Sequence, residues 1–147
     1  MTNRQVEVLV GEARGLHNRN IQNTNNDTFV EVYVDKHCKQ RTKVVNTIEY
    51  PTWNETLILN LPDLEKHHLL HVHVYSKDIV GKDSIGSATI DLKQIIGGAE
   101  FDQWVQLSGP LHLSTFGEVH LTIKYLVSTD SFAYITFISR LKEHSTL

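Results

Sequence analysis

The chain has 147 residues, a formal net charge of −3 and one cysteine, Cys38. This length fits one domain with a substantial core, and the nearly balanced charge provides no global basic field, so no nucleic-acid partner is predicted. The single cysteine excludes an internal disulfide, and no apolar run resembles a signal peptide or a bilayer span. The expectation is therefore a cytoplasmic protein.

Alternating apolar and polar residues predict a series of short β-strands. In strand one, for example, Val6, Val8 and Val10 share one face. The same pattern predicts further strands over residues 28–34, 38–45, 53–60, 69–75, 85–90, 104–107 and 117–127. Asp91 is the N-cap of a short helical turn that ends at a glycine pair. Together these elements predict an all-β fold, an eight-stranded antiparallel β-sandwich with one short helical turn.

Five stretches carry motifs of one known protein family in the right order, namely residues 9–16, 26–33, 42–55, 74–86 and 117–123. Together they resemble the C2 domain, a β-sandwich that often binds calcium and phospholipid. The resemblance extends over residues 5–127, and its strand arrangement is similar to the type II form of the family. It implies a small stand-alone C2-domain protein, with the domain over 1–127 and a C-terminal extension over 128–147.

The resemblance also implies a calcium site built from loop aspartates at one end of the sandwich. The family typically uses about five such carboxylates. This chain matches three of them, Asp27, Asp78 and Asp83. Neutral oxygen ligands are available in the same loops from Asn20, Asn26 and Ser76. Because two acids are missing and Arg19, Lys77 and Lys82 lie close by in the sequence, the prediction is a degenerate site that binds calcium weakly or not at all.

A second predicted site is basic. Lys39, Arg41 and Lys43 alternate along predicted strand three and are expected to share one face. The resemblance places Lys39 and Arg41 on the family's basic pair, with Phe29 and Tyr75 at aromatic positions near a phosphoinositide head group. The alternative is a solvated strand whose cations only block edge pairing. Three basic residues near an anionic phospholipid surface predict weak, salt-sensitive attachment.

His71 and His73 lie two residues apart and are predicted to share a polar strand face. Imidazoles at this spacing can hold a transition metal, but no third ligand is evident nearby in the sequence. Exposed histidines are the preferred interpretation. They would gain charge on mild acidification, which predicts a pH-dependent attraction to anionic membranes.

The C-terminal extension has apolar residues at helical spacing, namely Tyr134, Phe137, Ile138 and Leu141. A helix docked on its own domain, a disordered end and an amphipathic helix that seats on a membrane or a protein partner all remain open.

The sequence thus predicts a peripheral membrane module that binds phospholipid and has a weak or lost calcium site. The alternative is a calcium-independent adaptor that binds proteins through the sandwich face or the tail, without lipid. The chain carries no recognisable hydrolase, phosphate-loop or paired-cysteine motif, so no enzymatic activity is predicted.

Overall fold

A computed structural model describes residues 3–16, 27–61, 63–77, 79, 81–97, 100–109 and 115–128. These residues form nine strands, β1 (Asn3–Arg14), β2 (Asp27–Tyr33), β3 (Gln40–Arg41), β4 (Val45–Asn46), β5 (Thr52–Asn60), β6 (Leu69–Lys77), β7 (Lys82–Asp91), β8 (Phe101–Ser108) and β9 (Thr115–Ser128). A single 3-10 turn, Leu92–Gln94, follows β7. No helix in this part of the chain is long and apolar enough to cross a bilayer.

The strands form one antiparallel hydrogen-bonded path in the order β3-β2-β6-β7-β8-β9-β1-β5, with β4 also paired to β2. Among the described residues, only the pair Ser87 and Ser108 joins β7 to β8, and there the path folds over into two layers. We call β3-β2-β6-β7 the first sheet and β8-β9-β1-β5 the second sheet. The predicted all-β antiparallel sandwich is confirmed.

The period-two alternation of the sequence determines which side chains fill the space between the sheets. In β6, Leu70, Val72 and Val74 are fully buried, while the intervening residues face outwards. In β1, Val6 and Val8 pack from the opposite layer. Burial of these branched side chains supplies the main stabilising free energy, about 1.5–3 kcal/mol for each one.

The prediction for strand three was wrong in extent. In place of one strand over 38–45, the structure has the two short strands β3 and β4. Thr42 interrupts the ladder because it is turned inwards, where its hydroxyl accepts a hydrogen bond from the Val30 amide at 3.0 Å. The next amide, of Lys43, donates to the Glu55 carboxylate at 2.8 Å. The amides of Val30 and Lys43 thus donate to side-chain oxygens and not to the carbonyl groups of a neighbouring strand.

The other predicted elements lie close to their expected positions. The helical turn is confirmed as the 3-10 turn, and the Asp91 side chain accepts a hydrogen bond from the Lys93 amide at 3.0 Å, as an N-cap does. This bond lowers the pKa of Asp91. The proposed amphipathic helix of the C-terminal extension falls on residues 129–147, which lie outside the described residues.

Replacing Gly117 by alanine is expected to reduce the free energy of unfolding by about 2 kcal/mol or more. Gly117 has φ +89°, and a Cβ there would lie 2.5 Å from the carbonyl oxygen of Arg14 and 2.8 Å from the carbonyl carbon of Gly15. The matched control is Gly81→Ala, because a Cβ at Gly81 meets nothing within 4 Å. Urea denaturation measures both variants, and equal stabilities would contradict the close backbone approach.

Candidate functional site

The outer face of the first sheet carries a row of aromatic and imidazole rings, which we call the ring row: Phe29, Tyr33, His71, His73 and Tyr75. Strand pairing creates it, because Phe29 is opposite Tyr75 and Tyr33 is opposite His71 across β2 and β6. Ring centroids are 5.4 Å apart for Phe29 and Tyr75 and 4.9 Å apart for Tyr33 and His71, and the ring planes are inclined by 29° and 24°. Such offset stacking contributes beyond simple area burial.

His73 lies at the centre of the ring row. Its centroid is 5.7 Å from the ring of Tyr33 and 5.7 Å from the ring of Tyr75. Its Nε2 atom is also 3.3 Å from the Tyr33 hydroxyl, within hydrogen-bond distance. The five side chains therefore form one continuous surface rather than isolated aromatic residues.

Three cations cover this surface. The Lys39 ammonium lies 4.9 Å from the centroid of Tyr33, and the Lys82 ammonium lies 4.2 Å from the centroid of Tyr75. The Arg41 guanidinium lies 5.6 Å from the centroid of Phe29. Each is within the range of attraction between a cation and the face of an aromatic ring. The cations come from the turn before β3, from β3 itself and from β7.

A buried carboxylate lies between two of these cations. Glu31 is opposite His73 across β2 and β6, and its side chain is 9% exposed. Its Oε2 atom accepts a hydrogen bond from Lys82 at 3.3 Å. Its Oε1 atom is 3.5 Å from the Lys39 ammonium, but no donor of the described residues hydrogen-bonds to it. Glu31 thus joins two lysines that are far apart in sequence.

The predicted basic residues are only partly brought together. Lys39 and Arg41 reach the ring row, whereas Lys43 lies beyond β3 beside Glu55. The same-face expectation for all three assumed a continuous strand, and the interruption at Thr42 removes that basis. The two predicted aromatic residues differ in solvent exposure: Phe29 is 2% exposed, whereas Tyr75 is partly exposed. Phe29 therefore forms the floor beneath Arg41.

Sequence reasoning did not assign three residues of this site, Glu31, Tyr33 and Lys82, to the binding face. Lys82 was grouped with the calcium loop because it is close to Asp83 in sequence. In the structure its ammonium points to Glu31 and the Tyr75 ring instead. The register between β6 and β7 shifts between Val74 and Tyr75, and no sequence pattern reveals such a shift. The only available signal was an acidic residue flanked by Val30 and Val32 in a predicted strand.

The described members of the predicted calcium site, Asp27, Ser76 and Asp83, fall at one end of the first sheet. Thr28, next to Asp27, is opposite Ser76, and Ser76 is in turn opposite Asp83. Ser76 is fully buried, whereas Asp83 is exposed. The remaining predicted ligands lie outside the described residues, namely Asp78, Asn20 and Asn26. Within the part of the chain that is described, no three histidine, cysteine or acidic side chains are grouped to hold a metal ion.

Two large apolar side chains project near the same end of the sandwich. Ile79, between β6 and β7, is 98% exposed, and Tyr50, between β4 and β5, is 73% exposed. Because β4 pairs with Asp27 and Thr28, the loop that carries Tyr50 follows directly at this end. The end of the sheet thus combines acidic and apolar groups, and the ring row with its cations begins next to it.

The outer face of the second sheet has a separate cluster of paired charges. The Arg14 guanidinium lies 3.8 Å from the Trp104 ring centroid and 2.8 Å from the Glu118 carboxylate. Nearby, His120 pairs with Asp102 at 2.7 Å. The Arg14 charge is paired with Glu118, and the Asp102 carboxylate adds negative charge beside them, so this cluster has no excess of positive charge.

Lowering the pH below about 6.5 is expected to destabilise the fold through the ring row. Burial lowers the pKa of both His71 and His73, and for His73 the nearby Lys39 and Lys82 add to the lowering while Glu31 opposes it. The unfolded chain then binds protons at a higher pH than the native state does. Stability is therefore full above the unfolded pKa and decreases as the pH falls through it.

Urea denaturation between pH 7.5 and pH 5, values that bracket the ordinary histidine pKa of about 6.5, measures this effect. The double variant His71→Phe and His73→Phe keeps the rings but removes the titrating groups, so its stability should depend less on pH. His37→Gln, at an exposed turn position, is the control for removing a histidine outside the ring row. An unchanged pH dependence in the double variant would exclude the ring row as its source.

The comparisons with known proteins agree with this architecture. A family model described as the C2 domain matches residues 4–107. The chain is 31% identical over 104 residues to Synaptotagmin-5 of Arabidopsis thaliana, covering 70% of this chain and 18% of that protein. It is 34% identical over 84 residues to Synaptotagmin-4 of the same plant, covering 56% of this chain and 15% of that protein. The chain thus spans less than a fifth of these curated relatives.

Solved structures show the same fold. A C2 domain of plant Extended Synaptotagmin 1 superposes with a TM-score of 0.71 at 24% identity, covering 86% of this chain and 96% of that one. The calcium-bound pair of C2 domains of Extended-Synaptotagmin 2 gives a TM-score of 0.70 at 20% identity, covering 86% of this chain and 46% of that one. With its family model matched over most of the described strands and its sandwich shared with these domains, the chain belongs to the C2 domain family.

Proposed function

We propose that this chain is a peripheral phospholipid-binding module that attaches to anionic membranes through the ring row and its cations. The observation that carries the proposal is the convergence of Lys39, Arg41 and Lys82 on one sheet face. Three cations face a single carboxylate, Glu31, so the cluster keeps an excess of positive charge in a chain whose net charge is −3. Local excess charge, not net charge, attracts an anionic surface at short range.

The geometry of the cations supports binding to phosphate-containing head groups. The Lys39 and Lys82 side chains are 41% and 42% exposed, so each ammonium can use its remaining donors towards solvent while contacting Glu31. Each basic residue close to an anionic membrane contributes about 1 kcal/mol. Attachment through this face is therefore weak and depends on ionic strength.

The end of the sheet beside the ring row supports a second contact with the membrane. Ile79 and Tyr50 are exposed apolar side chains there, and such residues gain free energy when they enter the interfacial region of a bilayer. Together, the ring row with its cations and the exposed side chains of Ile79 and Tyr50 form a surface that is charged on its face and apolar at its edge.

Calcium has a minor role in this proposal. Asp27, Asp78 and Asp83 would hold the ion, with Ser76 as a neutral ligand, and it would supply positive charge towards lipid phosphate. The two described acids, Asp27 and Asp83, lie on β2 and β7, which both pair with β6, and this supports a weak site. The Lys82 ammonium pairs with the Glu31 carboxylate. It is therefore directed at the ring row and away from the predicted calcium ligands. The calcium-bound structure of Extended-Synaptotagmin 2 supports calcium as the ion to test.

Co-sedimentation with vesicles tests the proposal. The vesicles contain about 30% phosphatidylserine in phosphatidylcholine, at ionic strengths of about 50 mM and about 300 mM, with either a calcium chelator or about 1 mM calcium. We expect binding at low salt in chelator, loss at high salt, and less than about a tenfold gain from calcium. Absence of binding at low salt, with and without calcium, would leave the protein-binding adaptor as the function.

A further inference from the structure

We infer that Glu31 is an internal competitor for the anionic ligand, a carboxylate that holds Lys39 and Lys82 and reduces the affinity of the ring row for membranes. This inference rests on the proposed function. It adds a residue that limits the affinity for anionic membranes. The chain is therefore expected to bind anionic lipid less tightly than it would if Glu31 carried no charge.

The first observation is the burial of Glu31. Its side chain is 9% exposed, although it lies on the outer face of the sheet, because the lysines and rings surround it. A carboxylate is rarely buried to this extent unless it has charged partners. Here the partners are the two ammonium groups, at 3.5 Å and 3.3 Å.

The second observation is the chemistry of the contact. A carboxylate and a lipid phosphate are both anionic oxygen acceptors, and a lysine ammonium has only three donors to distribute between them. Each donor directed at Glu31 is lost to an external phosphate. In addition, the negative charge of Glu31 lies within the cluster and cancels one of the three positive charges at short range.

The third observation is that Glu31 is incompletely satisfied. Its Oε1 atom is buried and accepts no hydrogen bond from the described residues, and the 3.5 Å contact with Lys39 is longer than a charge-assisted hydrogen bond. One of the two ion pairs is therefore loose. Lys39 contacts Oε1 without a hydrogen bond, whereas Lys82 is held by the hydrogen bond to Oε2.

The test is Glu31→Gln, which keeps the shape of the side chain and removes its charge. On vesicles with about 30% phosphatidylserine, in chelator at low salt, the variant should bind about fivefold more tightly than the wild type, as expected for one elementary charge at the surface. The matched control is Glu118→Gln, which also removes a carboxylate from a cation, Arg14, at 2.8 Å on the second sheet. Glu118→Gln should change the affinity for vesicles less than about twofold, because a charge on the second sheet is far from the membrane and is screened by salt.

A double variant tests whether Glu31 acts through the lysine. In a Lys82→Ala background, Glu31→Gln should increase binding by a smaller factor than in the wild type. If Glu31→Gln fails to fold, Glu31→Thr provides a second neutral residue with a branched side chain suited to a strand. Thermal melting checks both variants.

The outcomes separate this inference from the proposed function. Wild-type binding with equal or weaker binding of the neutral Glu31 variants would overturn the inference alone, because the carboxylate would then help to hold the lysines in place. An equal gain in the Glu118→Gln control would also overturn it, since net charge would explain the result. Absence of binding by the wild type and by both neutral variants would overturn the inference together with the proposed function.

Discussion

Replacing Lys39, Arg41 and Lys82 together by alanine is expected to weaken binding to phosphatidylserine vesicles about 100-fold. Each of these side chains lies over a ring of the ring row, and each contributes about 1 kcal/mol near an anionic surface, so three losses multiply to two orders of magnitude. Co-sedimentation at low salt in chelator measures the effect. The salt dependence of the residual binding should decrease as well, because fewer charges take part.

Removal of both lysines leaves Glu31 buried without its two counter-ions, and this destabilises a fold by about 3–5 kcal/mol in comparable cases. A companion variant therefore adds Glu31→Gln to the three alanines. It should recover stability in a thermal melt and still fail to bind vesicles. Recovery of binding together with stability would mean that the loss came from unfolding and not from the missing cations.

The matched control removes three positive charges elsewhere. Arg4 and Lys124 lie on the second sheet, and Lys66 lies in the turn before β6; all three are exposed. Their joint replacement by alanine gives the same change in net charge and should weaken binding only a few-fold, because none of the three contacts a ring of the ring row and two of them lie on the opposite sheet. Equal effects of the two triple variants would indicate attraction by net charge, without a defined binding face.

Trp53→Ala is expected to have the largest effect on stability, a loss of about 3–5 kcal/mol in the free energy of unfolding. Trp53 is 1% exposed, and its indole N–H donates a hydrogen bond to the carbonyl oxygen of Thr28 at 3.1 Å. It thus fills the core and also ties β5 to the start of β2, beside Asp27. Truncation leaves a cavity and removes this hydrogen bond to a buried carbonyl. Urea denaturation measures the loss.

The second tryptophan of the chain is the natural control for this experiment. Trp104 is partly exposed on the second sheet and its ring is covered by Arg14 at 3.8 Å. Its replacement by alanine removes surface packing and a cation contact, which amounts to about 1 kcal/mol. Similar losses for Trp104→Ala and Trp53→Ala would show that the Thr28 bond and the core position of Trp53 carry no special stability.

Most of the strands could be predicted from the sequence because alternation with a period of two is a local property. The buried residues of β1 and β6 follow it closely, including Val6, Val8, Val72 and Val74. The interrupted strand was not predictable by the same means. The stretch around Thr42 is a run of polar residues, 39–43, so no alternation marks Thr42 as buried. Its inward position is fixed by two hydrogen bonds with Val30, one to its hydroxyl and one from its amide.

The candidate site was predictable in part. Lys39 and Arg41 were assigned to a basic face, and both lie on the ring row. Lys43 was assigned to the same face but lies beyond β3, and Lys82 was assigned to a loop but lies over Tyr75. The position of Lys43 follows from the interruption of the strand at Thr42. The position of Lys82 follows from the register between β6 and β7, which depends on which residues face each other and not on the order along either strand.

The sequence by itself determined that this protein is an antiparallel β-sandwich of the C2 family, because hydrophobic alternation and short motifs are written along the chain. It also determined the residue types available at the loops, including Asp27 and Asp83. Only the tertiary structure decided that Glu31 forms ion pairs with both Lys39 and Lys82. The first of these lysines is 8 residues away and the second is 51 residues away. Such a cluster forms only when the packing of the core sets the register of the strands that carry its members.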